Sequence, residues 1–242
     1  MKYYCLIYFL ILPIILFAQQ PEYPKKTFVD TTGRYYHQAS LPLYFFIGTS
    51  ASDKPLPLQS APKAELYLEG HGVHSFKHEN TVTNKIDVLK IYADGRAPVT
   101  TSSFLQASSY IGANNAFYGS GLKIMLSSTD KMSGVDAIYH SLNSNNFSKY
   151  DGVPVLFKTE GDFVYSYYAV DRTGNAENIK EKKFTVDLTA PSSFHNFVSI
   201  SSDNVISTNS SIYLSISDSA SGVAKTYYKF DKEKFRIYKG NN

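Results

Sequence analysis

The stretch DKMSGVDAIYHSLNSNNFSKY at residues 130–150 decides the reading, because DSASGVAKTYYKFDKEKFRIY at 218–238 repeats its frame without a gap. Asp130, Gly134, Tyr139, Leu142, Phe147 and Tyr150 recur 88 residues on as Asp218, Gly222, Tyr227, Phe230, Phe235 and Tyr238. Ser133-Gly134-Val135 recurs at the same distance as Ser221-Gly222-Val223. Six spaced positions and a tripeptide in one register mark an array of like units rather than one globular enzyme.

Around this stretch the middle of the chain reads as strands. Leu122–Leu126 is an apolar strand that runs into the polar residues 127–130, and the Ser133-Gly134 turn leads into a second strand, Val135–Leu142. Asn143–Asn146 is a hairpin loop, since Asn accepts left-handed backbone angles, and Phe147–Tyr150 returns. Phe163–Val170 carries Phe163, Tyr165, Tyr167 and Ala169 on one face and Val164, Ser166, Tyr168 and Val170 on the other. With both faces largely apolar it is expected to be a central strand. Asp171–Asn175 turns the chain, and Phe184-Thr185-Val186 closes the unit. Twenty Tyr and sixteen Phe without a Trp, and no helical period, set the class as all-β.

Asp94-Gly95-Arg96-Ala97-Pro98 and Asp187-Leu188-Thr189-Ala190-Pro191 share the pattern Asp-x-x-Ala-Pro, and Ala-Pro ends strand pairing. The expected segments are a signal peptide at 1–18, a divergent β unit at 19–97, a β-sandwich unit at 98–190 and a front half-unit at 191–242. In the first unit Leu43–Ile47 takes the place of Leu122–Leu126, Glu69-Gly70 that of Glu160-Gly161, and Asn80 and Asn84 those of Asp171 and Asn175. The third has no counterpart of residues 155–189. It is expected to be completed by polypeptide beyond Asn242 or by another molecule.

Lys2, the apolar run Leu6–Phe17 and the small Ala18 compose an export signal, too short for the roughly 20 residues of a bilayer span. Its removal takes away Cys5, the single cysteine, so the exported chain must hold together by packing. Removal of Lys2 with the signal lowers the formal charge from +3 to about +2, close to balanced, and nothing in it argues for nucleic acid.

Asp130-x3-Gly134-Val135-x3-Tyr139-x2-Leu142, Tyr150, Glu160-Gly161, Tyr167-Tyr168-Ala169-Val170-Asp171-x2-Gly174-Asn175 and Asp187-x-Thr189-Ala190-Pro191 together resemble a bacterial extracellular repeat. It is similar to the OmpL-type "β-barrel" domains, which stand close to bacterial Ig-like modules and chitobiase C-terminal domains. The resemblance covers nearly all of the middle segment and the front of the third. It implies Ig-like sandwiches on exported, envelope or surface proteins, without a catalytic role of their own. The usual Tyr-Tyr pair is Tyr139-His140 here, and Asn replaces the hairpin glycines.

Asp130, Gly134, Asp171, Gly174, Asn175, Asp218 and Gly222 are read as a structural turn motif. Asp171 to Asn175 offers oxygens for Ca²⁺, yet too few, and an Asx-type turn accounts for the same residues. His74 and His78 share a strand face about 13 Å apart, too far for one ion, and His71 sits between two glycines. Gly48–Ser52 and Gly119-Ser120-Gly121 do not make a nucleophile elbow, so no catalytic residue, cofactor or metal is assigned. Tyr139, Tyr150 and Tyr168 are the candidate ligand surface, since flat rings stack on sugars. The basic run Lys225–Lys239 reads as a solvated strand face because Asp231 and Glu233 interrupt it. The expected function is a non-enzymatic spacer or scaffold whose partner is a protein or a surface glycan. The alternatives are a carbohydrate-binding accessory region of a larger enzyme and, third, an outer-membrane barrel.

Overall fold

A computed structural model describes residues 21–44, 46–47, 56–57, 66–80, 84–144, 146–201 and 205–239. Residues 1–18, read as an export signal, with Cys5, and the Gly48–Ser52 stretch lie outside the described residues. Among the described residues every element is a strand, and no helix is long and apolar enough to cross a membrane. By internal contacts the chain forms two compact units. One holds residues up to Ala97 together with Lys131–Gly134 and Val170–Ile179; the other holds the rest.

The first compact unit contains β1 (Thr27–Val29), β2 (Tyr35–Gln38), β3 (Pro42–Leu43), β4 (Phe46–Ile47), β5 (Leu56–Pro57), β6 (Leu66–Tyr67), β7 (Gly72–Asn80) and β8 (Lys85–Asp94). One sheet runs β1-β2-β8-β7, with β2 parallel to β8 and the other pairs antiparallel. Its core is small. Leu43, Leu68, Ile91 and Ala93 are buried, and Tyr35, Ala39 and Phe76 pack against them.

The second compact unit carries β9 (Val99–Leu105), β10 (Ser109–Ile111), β11 (Ala116–Tyr118), β12 (Lys123–Thr129), β13 (Val135–Leu142), β14 (Ser148–Lys149), β15 (Val155–Leu156), β16 (Gly161–Asp171, of which the last two residues cluster with the first unit) and β17 (Lys180–Val186). β18 (Ser192–Ser201), β19 (Val205–Ser217), β20 (Tyr227–Tyr228) and β21 (Arg236–Ile237) follow. A six-stranded sheet runs β10-β11-β17-β16-β13-β14, and a three-stranded sheet runs β15-β12-β9. Both sheets feed one core: Leu122, Ile124 and Leu126 meet Tyr165, Tyr167, Phe184 and Val186, with Tyr150 and Phe157. At about 25 cal/mol per Å² of apolar area, these aromatic side chains dominate the burial that holds this unit together.

The central place read for Phe163–Val170 is found: β16 lies between β17 and β13. The polar residues 127–129 are not yet loop, because β12 continues through them opposite Val99–Thr101. Of these, Ser128 is half-buried and its Oγ accepts from Thr100 Oγ1 at 2.9 Å, while Ser127 and Thr129 are exposed.

The pairing registers repeat. Ile124 faces Phe104 and Met125 faces Ser103 between β12 and β9; Ile212 faces Phe197 and Tyr213 faces Asn196 between β19 and β18. Tyr139 faces Lys149 and His140 faces Ser148; 88 positions on, Tyr227 faces Ile237 and Tyr228 faces Arg236. The first segment matches the other half of the design, since β1-β2-β8-β7 has the order and directions of β10-β11-β17-β16. Here the register corrects one equivalence. Gly72 pairs with Ala93 just before Asp94, as Gly161 pairs with Val186 just before Asp187, so Gly72 and not Gly70 stands in the place of Gly161. Both glycines have open positive φ angles, 155° and 142°.

Candidate functional site

The turn residues singled out by the repeat build a hydrogen-bonded constellation. Asp171 Oδ1 accepts the N–H of Thr173 (2.8 Å), the N–H of Asn175 (2.9 Å) and the Thr173 hydroxyl (3.0 Å). Asn175 Nδ2 donates to Asp171 Oδ2 at 2.7 Å, and Gly174, at φ 92°, allows the chain to fold back over the carboxylate. Asp171 and Thr173 are wholly buried. Burial raises the Asp171 pKa, its bonds to Asn175 work against that rise, and the Asp94 charge adds to it. A cation at Asp171 would have to displace donors already in place, so the carboxylate is used as a turn anchor.

The linker aspartates bind the turns that follow them. Asp94 is wholly buried; its Oδ2 accepts the Ser133 N–H at 3.1 Å, and its Oδ1 lies 3.3 Å from His71 Nδ1 and accepts the Arg96 N–H at 3.3 Å. Asp187 Oδ2 accepts the Ser221 N–H at 3.0 Å and its Oδ1 the Thr189 N–H at 3.1 Å. The bond to Ser221 is the main cause that lowers the Asp187 pKa. Gly134 and Gly222 both turn at φ 81°. Asp218 Oδ1 accepts the N–H groups of Ala220 and Gly222, at 3.1 and 2.8 Å, while Asp130 follows β12 half-buried. Tyr150 and Tyr238 complete the pattern: Leu126 N–H donates to Tyr150 Oη at 3.5 Å, and Leu214 N–H to Tyr238 Oη at 3.3 Å.

Two residues of this constellation were missed in the sequence. Asp30 Oδ1 accepts the N–H groups of Thr32 and Arg34 and the Thr32 hydroxyl, the same turn as at Asp171. Asp-x-Thr-Gly at 30–33 and 171–174 is the signal the sequence carries for it, although spacing alone points to Asn80 and Asn84. Gln38 Nε2 donates to Asn175 Oδ1 at 2.8 Å, and its own Oε1 accepts the Ser40 N–H. Nothing local in the sequence marks Gln38 as buried.

The tyrosines named as a ligand surface are packing residues in large part. Tyr168 is fully buried and Tyr150 is 8 % exposed, so neither presents the open ring face that a sugar needs; this corrects that expectation for both. Tyr139, half-buried, stacks on Tyr168 at 5.3 Å, and Phe147 meets Tyr168 edge-on at 5.0 Å. His140, in place of the second Tyr of the pair, sits 2.9 Å from Tyr165 Oη through Nδ1, and burial lowers its pKa. Burial also raises the Tyr165 pKa, keeping its hydroxyl protonated. The histidines considered for a metal part ways: His71 joins Asp94, His74 Nε2 lies 3.4 Å from Gly70 O, and His78 is exposed. In the basic run, Lys229 Nζ lies over Phe235 at 5.1 Å and Arg236 pairs with Glu233 at 3.0 Å.

Compared with known proteins, the chain matches no family model, no curated sequence and no solved structure.

Proposed function

We propose that this chain is an exported, non-enzymatic array of Ig-like β-sandwich units that serves as a spacer or interaction scaffold in a bacterial cell envelope. The observation that carries the reading is the repeated latch. A linker aspartate binds the N–H of the Ser-Gly turn in the segment that follows, Asp94 at Ser133 and Asp187 at Ser221. The same bond recurs after each Asp-x-x-Ala-Pro motif, so the motif is part of a repeated structural design, which suits an array of like units. The polar side chains of the turns spend their bonds on backbone N–H groups, so the chemistry present is structural. The open linear order of every sheet among the described residues favours separate units over a closed barrel. The test is fractionation of source cells with an antibody to the middle segment, followed by protease treatment of intact cells. Recovery in the envelope, with cleavage near the linkers, is the expected result; recovery in the cytosol overturns the reading.

A further inference from the structure

We propose that the outer face of the six-stranded sheet carries a shallow glycan site, a row of Tyr110, Phe117, Thr185 and Asp162 joined by Asn115, that takes a neutral pyranose oligosaccharide. The registers set these side chains in line. Tyr110 pairs with Phe117, Phe117 with Thr185 and Thr185 with Asp162, so β10, β11, β17 and β16 each place one residue abreast on one face. That face is the outward one, because Tyr118, Phe184 and Val186, next to them in the chain, join the core. Every residue of these strands is described.

The two ends of the row offer different chemistry. At one end the rings of Tyr110 and Phe117 lie 24° from parallel with centroids 6.1 Å apart, which makes one continuous shelf. Tyr110 is 58 % exposed, unlike the packed Tyr150 and Tyr168. Gly112 borders both rings: a Cβ there would stand 3.6 Å from Phe117 Cε2 and 3.7 Å from Tyr110 Cε1, so glycine leaves that flank open. At the other end Asn115 Nδ2 donates to Thr185 Oγ1 at 2.6 Å, and Thr185 Oγ1 donates to Asp162 Oδ1. Thr185 is buried, so this relay is held in place before any ligand arrives. It leaves the second amide N–H of Asn115 and the second oxygen of the exposed Asp162 for a ligand. The C–H face of a pyranose suits the shelf, and its hydroxyls suit a fixed donor and acceptor. With strands about 4.8 Å apart, Phe117 and Asp162 stand about 10 Å apart, the span of a disaccharide rather than of one ring. Lys183, exposed on the same face through its pairing with Val164, balances the Asp162 charge, which suits a neutral sugar. The site gives the scaffold reading a partner, yet a chain that binds no sugar is still compatible with an exported spacer.

The test is isothermal titration of the full chain with cellotetraose, chitotetraose and maltotetraose, repeated with Tyr110→Ala and with Asp162→Asn. Both side chains are exposed, and the thermal transition of each variant checks that it folds as the parent does. At least one of the sugars is expected to saturate the parent below about 10 mM. Each variant is expected to bind it about tenfold or more weaker, one having lost the stacking ring and the other the charge-assisted bonds. Tyr213→Ala removes an open ring outside the row and is expected to leave binding unchanged. No binding of any of the three sugars up to about 10 mM overturns the proposal. Binding that survives both substitutions in the row, or that Tyr213→Ala weakens as much, also overturns it. Recovery of the chain in the cytosol would overturn the scaffold reading and leave the outcome of this titration untouched.

Discussion

Replacing Asp171 by Ala is the sharpest test of how the turns are held. The substitution removes the acceptor of the buried Thr173 N–H, of the part-buried Asn175 N–H, of the Thr173 hydroxyl and of the Asn175 amide, around a carboxylate with no solvent access. Each donor left without a partner costs about 1–3 kcal/mol, so the two backbone groups alone account for roughly 2–6 kcal/mol. Part of this is offset because a buried charge, pushed further by Asp94, is also removed. A net loss of about 2–4 kcal/mol is expected in urea unfolding followed by tyrosine fluorescence. Asp30→Ala removes the same three bonds to residues 32 and 34 where water can replace them, and is expected to cost clearly less. Asp171→Asn keeps an acceptor and cannot ionise. The raised pKa of Asp171 means its contribution is fully present below about pH 3.8 and is lost as pH rises through the folded value, so the Asn variant lacks that part of the pH slope. Equal losses for Asp171→Ala and Asp30→Ala would refute the argument that burial sets the cost.

His140 titrates in the opposite sense. Its folded pKa lies below the usual 6.5, so its contribution is present above about pH 6.5 and is lost as pH falls through the folded value; His140→Phe should flatten that part of the stability profile measured by thermal melts. Gly134→Ala and Gly222→Ala share a φ of 81° and each should cost about 1 kcal/mol for the left-handed backbone. Gly134→Ala should cost more in urea unfolding, because a Cβ there meets Arg172 Nη1 at 3.2 Å while at Gly222 it meets nothing within 4 Å.

The long strands were legible because their signal is local. Val135–Leu142 and Phe163–Val170 carry their faces in their own period-two pattern, and the latter's two apolar faces placed it at the centre of a sheet. β10, β11 and β15 have three residues or fewer, too short to show any period, and their places follow from distant partners such as Thr185 for Phe117. Gly174 and Asn175 after Asp171 mark its turn in the sequence, whereas Arg34 stands where Asn175 does after Asp30, so the same turn there carries a weaker mark. The tyrosines show the limit of composition. Tyr168 and Tyr110 look alike as residue types, but one is fully buried and the other is 58 % exposed, which depends on the partners each strand finds.

The third segment pairs its strands in the register of the middle one. The chain has one cysteine, Cys5, so engineered disulfides in a Cys5→Ser background report that register directly. Met125 faces Ser103, and Tyr213 faces Asn196, all on the outward side where a new bond disturbs no core. Cysteines at both pairs should cross-link under the same mild oxidant, and a Tyr213 cysteine paired with one at Phe197 should not. Closure at 125 and 103 but not at 213 and 196, or closure out of register, would contradict the repeat.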